Sequence, residues 1–562
     1  MRAHRARREE LLEPYKKLRE APAVNDPLAA KVRAADQDTA SLVEQLPYWE
    51  IFSDAMFLAD GRAEIAYELT PLNAEAMDEQ AMTLLLRGIK AILRQGVEDW
   101  QRIRLHVEVR PGRVLEAERY LQNKTAKEAI LEYLGSQQYE NLLQWEREGH
   151  LYEYRYYLST VVGEPRKGYT ATSPWAAFIQ DLLPFLKRGT HISYTPEEMD
   201  AFMVKVEAAR SRLSRHLAMA GISHRKLTRD ELYWLVFRYL NPGAPPDPKP
   251  YHPTFDYLPK TLTKDLEASR RATLRSRLVR SSVDNRHLDY LKVGSTYISA
   301  VKLVDVPAET WMGMLHKLIT AAGKPAWITV DFTRLPLPRA EGILRNRFRD
   351  YWRTAEQSDI PDIGAQEGAR EVAEYIQHIR RNAESIYLVS GSIYILAESL
   401  QELSERTRDL LTAASEIEGQ PFMRMHRGVF GIFLEGAPLS GRSFSRPRMY
   451  PETQAAHLWV WAGPWKHEAP RPVEIYLTRY NTTVSLDPWD SRLPNYNTLI
   501  VGETGSGKSY LVQHRLTEVL KMADTVAVAI DRHEYSYDGL YQTLHEEGVA
   551  EKVHFGPSSP TR

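Results

Sequence analysis

Gly502-Glu503-Thr504-Gly505-Ser506-Gly507-Lys508-Ser509 lies near the carboxyl end of a 562-residue chain and has the spacing of a phosphate-binding loop. In the pattern GxxxxGK-S/T the glycines reach backbone angles that a side chain forbids, so successive N–H groups turn inward around a polyphosphate. Lys508 then meets the outer phosphates and the Ser509 hydroxyl holds Mg2+. The flanks fit this reading. Asn497-Thr498-Leu499-Ile500-Val501 is a short apolar run suited to a buried parallel strand. After the loop Val512, Leu516, Val519 and Leu520 recur at helical spacing, which predicts a helix whose N-terminus faces the phosphates. Thr525-Val526-Ala527-Val528-Ala529-Ile530 predicts a second buried strand ending at Asp531. Strand, loop, helix and strand read as the first βαβ unit of a P-loop NTPase.

A dinucleotide-binding fold competes with this reading, because Gly505-Ser506-Gly507 opens a helix and Asp531 follows at roughly the 20-residue distance of a ribose-binding acid. Tyr510 stands against it, since that fingerprint needs a third small residue there and has no use for Lys508-Ser509. A plain glycine-rich turn is the remaining alternative. On the P-loop reading the residues that bind cofactor are Gly502, Glu503, Thr504, Gly505, Ser506, Gly507, Lys508, Ser509 and Tyr510. Lys508 is the catalytic residue, Ser509 the metal ligand, and the cofactors are ATP and Mg2+.

The rest of the chain bounds the answer. Its length suggests three or four compact units. Hydrophobic residues make up 43% and charged ones 26%, a globular composition. Lys and Arg number 73 against 74 Asp and Glu, so no overall basic bias points to nucleic acid. The absence of cysteine excludes disulfides, iron–sulfur clusters, Cys-ligated zinc and thiol catalysis. No run reaches the roughly 18 apolar residues of a membrane span, and no signal-peptide core follows Met1–Glu10, so the chain is expected neither to span a membrane nor to be secreted by that route. The seventeen histidines are scattered without ligand spacing, and HExxH, G-x-S-x-G and EF-hand patterns are absent.

Four segments are expected along the chain. Residues 1–40 read as a charged helical arm, either solvated or docked to a membrane surface or partner. Residues 41–242 read as an α/β domain with a helical region. Asp60-Gly61 turns a hairpin between Met56–Leu58 and Ile65–Leu69, a helix follows over about 76–94, and Ile103, Leu105, Val107 and Val109 alternate with Arg104, His106 and Glu108 as a half-exposed strand. Tyr152, Tyr154, Tyr156 and Leu158 predict another strand, whose tyrosines serve as packing or as a base-stacking platform. Helices are predicted over about 196–241, with Gly221 ending one and Thr228-x-x-Glu231 capping the next. The proline-rich run 242–250 reads as a linker. Residues 251–450 read as a second α/β part, with strands at 297–303, 327–332 and around 386–396 and helices near 311–321 and 399–414. Arg270, Arg271, Arg275, Arg277 and Arg280 cluster on a predicted helix, either solvated or facing DNA phosphates or an acidic neighbour. Residues 451–562 begin a RecA-like ATPase domain.

Three stretches carry a wider resemblance. Leu46-Pro47-Tyr48 with the Asp60-Gly61 hairpin and Leu69-Thr70-Pro71-Leu72 open it; Gly221-Ile222, Leu227-Thr228-Arg229-Asp230-Glu231-Leu232 and Leu240-Asn241-Pro242 continue it. The most specific run is Tyr476-Leu477-Thr478-Arg479, Leu486-Asp487-Pro488-Trp489-Asp490 and Asn495-Tyr496-Asn497, leading into the loop. With these residues the chain resembles the VirB-four/TraC family of type IV secretion and conjugation ATPases, relatives of the HerA and FtsK pumps. Asp531-Arg532-His533-Glu534-Tyr535 is similar to the Asp-x-His-Gly-Glu-Tyr segment of HerA-like pumps but lacks its glycine. Asp531 therefore reads either as a residue at the sheet's carboxyl edge or as a turn residue.

The resemblance implies an α/β fold: a large N-terminal α+β region, then the start of a RecA-like domain with a truncated parallel sheet. The Walker B strand and the water-orienting glutamate are expected beyond residue 562, so the chain alone is expected to bind nucleotide weakly and not to turn it over. The intact protein would be an ATPase energising pilus assembly or substrate transfer. It would be a homo-oligomer, cytoplasmic and peripheral at the inner membrane, with channel and pilus proteins as partners and direct DNA contact left open. Two other functions remain: a HerA/FtsK-type DNA translocase or coupling ATPase, and a non-hydrolytic channel-assembly scaffold.

Overall fold

The computed structural model describes residues 42–98, 101–165, 196–244, 274–307, 309–322, 325–357, 362–382, 384–503, 505–523, 525–530 and 537–551. The arm 1–40, most of the proline-rich linker, Arg270, Arg271, Thr504, Asp531 and Glu534 lie outside them.

Helix α1 (Leu42–Gln45) leads into the antiparallel strands β1 (Tyr48–Phe52), β2 (Ala55–Leu58) and β3 (Ala63–Leu69), the last two joined through Asp60-Gly61 as expected. Helix α2 (Glu79–Gln95) starts where the Asp78 side chain accepts from Ala81 N at 2.7 Å, and it buries Leu85, Ile89, Ile92 and Leu93 on one stripe. Strand β4 (Arg102–Pro111), helices α3 (Ala117–Asn123) and α4 (Ala129–Arg147), and strand β5 (Tyr152–Val162) follow. The helical region holds α5 (Pro196–Met219), the short strand β6 (His224–Lys226) and α6 (Arg229–Leu240), whose N-terminus carries the Thr228–Glu231 capping box.

Beyond it come α7 (Leu274–Leu278), β7 (Val283–Asp284), β8 (Leu291–Val293), β9 (Thr296–Leu303), α8 (Met314–Ala322) and β10 (Ala326–Leu335). Helices α9 (Leu337–Gln357) and α10 (Ile363–Asn382) form a hairpin inserted before β11 (Ile386–Ala397). Then follow α11 (Leu400–Ser415), β12 (Phe422–Arg424), α12 (Val429–Glu435), β13 (Arg448–Pro451) and α13 (Glu452–His457). The chain closes with the hairpin β14 (Glu474–Leu477) and β15 (Thr483–Leu486), then α14 (Lys508–Leu520) and α15 (Asp538–Glu546).

One sheet of 13 strands organises these elements, in the order β1-β2-β3-β5-β4-β10-β11-β9-β8-β7 with β6, β12 and β13 at its margins. Its centre is the β4–β10 ladder, where Ala326 to Thr333 pair antiparallel with Val109 to Arg102, so strands from residues 41–242 and 251–450 share one sheet. Every ladder among the described residues is antiparallel, with one isolated parallel bridge between Leu72 and Ala462. The α/β class holds in that mixed sense. One sheet face packs on α2, α8, α11 and the segment 455–462, the other on α6, α7 and α12.

Helices on both faces correct the expectation for β4. Arg104, His106 and Glu108 are buried as fully as the apolar residues between them. Each polar side chain is partnered: Arg104 with Asp331, His106 with Thr329 and the Trp327 indole, Glu108 with Arg238 and Tyr157. Alternation of polar and apolar residues reports burial only if the polar face meets water, and here it meets complementary charge. The base-stacking reading of the tyrosine stripe fails for the same reason, because Tyr154 and Tyr156 are sealed in the core. On α7, Arg275 donates to the Tyr48 carbonyl at 2.8 Å, and Arg280 just beyond lies over the Phe237 ring. Arg275 packs against the fold, while Arg280 stays exposed beside that ring.

Candidate nucleotide-binding loop

The loop closes on its own lysine. Lys508 Nζ donates to the Gly502 carbonyl at 2.7 Å and to the Glu503 carbonyl, and Ser506 N donates to Glu503 O at 3.2 Å. Gly505 (φ +81°) and Gly507 (φ +89°) take left-handed backbone with open space where a Cβ would stand, so it is the dihedral and not crowding that selects glycine. Gly502 differs: a Cβ there would lie 2.6 Å from Ser506 Oγ.

Helix α14 starts at Lys508 with Gly507 as its N-cap, and no side chain caps it. Among the described residues no acceptor meets the N–H groups of Lys508, Ser509 and Tyr510, at the end where the helix dipole favours an anion. Gly505, Ser506, Gly507, Ser509 and Tyr510 are exposed and Lys508 is half-buried. These groups fit a polyphosphate: backbone donors at a helix N-terminus, an ammonium resting on two neutral carbonyls, and a hydroxyl on the first helical turn. No cluster of three or more His, Asp or Glu among the described residues is placed to hold a metal ion. On this loop the Ser509 hydroxyl is the group that could hold Mg2+.

Gly505, Gly507 and the helix after Lys508 take the backbone that the spacing predicts; the flanking strands do not form. Residues 497–501 and 525–530 join no ladder, and Leu499, Val501, Val526, Val528 and Ile530 are each more than 80% exposed. An apolar run becomes a strand only where a neighbour completes its hydrogen bonds, and among the described residues neither run has one. The predicted stripe Val512, Leu516, Val519 and Leu520 is only half-buried for want of a sheet beneath it.

What holds α14 is polar, and sequence reasoning missed it. Glu518 is 2% exposed and accepts from Tyr120 Oη at 2.7 Å, Lys124 Nζ at 2.9 Å and Lys521 Nζ at 2.6 Å. Burial pushes Lys124 down to about 8, although Glu518 pulls the other way. Burial raises the Glu518 carboxyl, but the Lys124 and Lys521 ammoniums outweigh it and hold the group below its ordinary range. One turn earlier Arg515 pairs with the fully buried Glu474 at 3.0 Å. Tyr120 stands on α3 with Lys124 at its C-cap, and Glu518 stands on α14 with Lys521 at its C-cap. Nothing local joins two pairs almost 400 residues apart.

No family model matches this chain, and no curated protein matches it. Among the described residues no helix is long and apolar enough to cross a membrane.

Proposed function

We propose that residues 502–510 bind the phosphates of ATP with Mg2+, and that the chain is the ATP-binding part of a type IV secretion or conjugation machine. The observation that carries the nucleotide reading is an uncapped helix N-terminus behind two left-handed glycines, with the Lys508 ammonium resting on two loop carbonyls. On binding, Lys508 exchanges those neutral acceptors for anionic phosphate oxygens, and charge-assisted bonds are roughly twice as strong as neutral ones. The backbone N–H groups of 505–509 cradle the same phosphates, and Ser509 contributes its hydroxyl to Mg2+.

In this reading the exposed runs 497–501 and 525–530 are strands of a RecA-like parallel sheet that form when neighbouring strands pair with them. The assignment to secretion rests on the run from Tyr476 to Asn497 and on the segments around Pro47, Gly221 and Thr228 that resemble the VirB-four/TraC family. It carries with it a homo-oligomer at the cytoplasmic face of the inner membrane, docked to channel and pilus proteins. Photo-crosslinking with an azido-ATP analogue tests the site: label should map to peptides spanning 502–510 and be displaced by ATP with Mg2+. Label spread over the surface, or undiminished by ATP, would remove the reading.

A further inference from the structure

Helix α14 is 13 residues long, about 20 Å at 1.5 Å per residue, and its two ends do different things. Lys508 and Ser509 stand at the loop. Glu518 stands at the other end, gripped by α3 through Tyr120 and by the turn after α3 through Lys124. Lys124 Nζ also donates to the carbonyls of Val473 at 2.6 Å and Glu518 at 2.8 Å, and lies 4.4 Å from the centre of the Tyr120 ring. Two more bonds tie the same turn to the chain leaving α14: Ala126 N to Lys521 O and Ala523 N to Thr125 Oγ1, both at 3.0 Å.

The apolar stripe of α14 is only half-buried, while these polar bonds are buried and directional. A half-buried apolar contact slides at little cost; a buried carboxylate that loses a donor is left unpaired in a dry site. An axial shift or rotation of α14 therefore cannot be absorbed at Glu518, and α3 must move with it.

We propose that Tyr120, Lys124 and Glu518 couple the nucleotide loop to the α3–α4 lobe: phosphate binding at Lys508 is transmitted along α14, and Tyr120 and Glu518 act as positioning residues for the loop. The proposal rests on the nucleotide reading above. Coupling is reciprocal, so loosening the clamp must also change nucleotide affinity, by roughly 5- to 150-fold for couplings of ordinary size.

Hydrogen–deuterium exchange on the full chain, with and without ATP and Mg2+, tests it. In the wild type, nucleotide slows exchange both in the loop and in the peptide covering α3 and residues 124–126. Tyr120→Phe removes one hydroxyl at constant shape. It should keep loop protection at saturating ATP, lose the α3 response, and weaken ATP binding at least about fivefold, whereas a merely structural role would lower the melting temperature and leave affinity alone. Glu518→Gln should do the same more severely, and Glu518→Gln with Lys124→Gln supplies a neutral pair should the single variant fail to fold. Protection of the loop with no change at α3 in the wild type overturns the coupling alone, as does an unaltered α3 response in Tyr120→Phe. Absence of ATP binding in the wild type overturns the coupling and the nucleotide reading together.

Discussion

Arg104 on β4 and Asp331 on β10 stand opposite each other in the central ladder and meet through two parallel bonds, Nε to Oδ1 at 2.5 Å and Nη2 to Oδ2 at 2.6 Å, in the middle of the sheet. The guanidinium is fully buried, and two of its three remaining N–H groups donate to the carbonyls of Ala437 and Arg442 at 2.9 Å each. This pair pins the loop after α12 against the polar face of the sheet. Glu64 does the same from β3, accepting from Arg102, Ser159 Oγ and Gly441 N.

Asp331→Asn leaves Arg104 charged and buried without its counter-ion. Losing one partner of such a pair costs about 3–5 kcal/mol, and the denaturation midpoint should fall accordingly. Arg104→Met with Asp331→Leu should recover much of that loss, because removing both charges also removes their desolvation. A double variant as unstable as the single would show that the carbonyl bonds, not the pair, hold the loop.

Acid should weaken the fold in two steps. Burial, then Arg104 and Arg102, hold the His106 imidazole well below its ordinary 6.5. Below about 6.5 the unfolded chain therefore takes up a proton that the folded one refuses, and stability declines. Glu64 follows lower down: burial raises its carboxyl, but Arg102 and Arg104 hold it below 4.5, so its contribution is present above 4.5 and lost as pH falls through the depressed value. Urea midpoints measured across this range should show both steps, and His106→Gln should shrink the upper one, leaving the share of His457, whose imidazole burial also holds below its ordinary value. The same upper step in the variant would assign it to another group.

Lys124 predicts the opposite limb. It releases its proton near pH 8 in the folded chain, against 10.5 ordinarily, so between those values the unfolded state binds more protons and stability rises with pH. Lys124→Gln should flatten that rise. A wild-type curve already flat there would mean that water reaches the cluster.

Thr228→Ala removes the cap whose side chain accepts from Glu231 N while Glu231 accepts from Thr228 N. A loss of about 1 kcal/mol is expected, read as a lowered denaturation midpoint. Glu231→Gln, which keeps a reciprocal acceptor, should cost less. Equal losses would place the effect in the ion pair of Glu231 with Arg225.

Local signals were legible in the sequence. The Asp60-Gly61 turn, the Thr228 box, the strand at 152–162 and the helix after Lys508 all stand where spacing and turn chemistry put them. Partners distant in the chain were not legible. Arg104 reads as solvent-facing until Asp331, 227 residues on, is brought against it. Glu518 lies off the apolar stripe of its helix and reads as solvent-facing until Tyr120 on α3 and Lys124 just after it are brought against it. The apolar runs at 499–501 and 526–530 signal strands, but a strand needs a neighbour that the runs themselves do not specify.

Calorimetric titration of ATP with Mg2+ into the wild-type chain and into Lys508→Ala tests the central claim most directly. Losing a charge-assisted phosphate contact costs about 1.5–3 kcal/mol, roughly 10- to 100-fold in affinity, so the wild type should bind and the variant should bind at least tenfold more weakly. Ser509→Ala should keep part of the binding and lose its dependence on Mg2+. Equal affinity in wild type and Lys508→Ala would contradict the account.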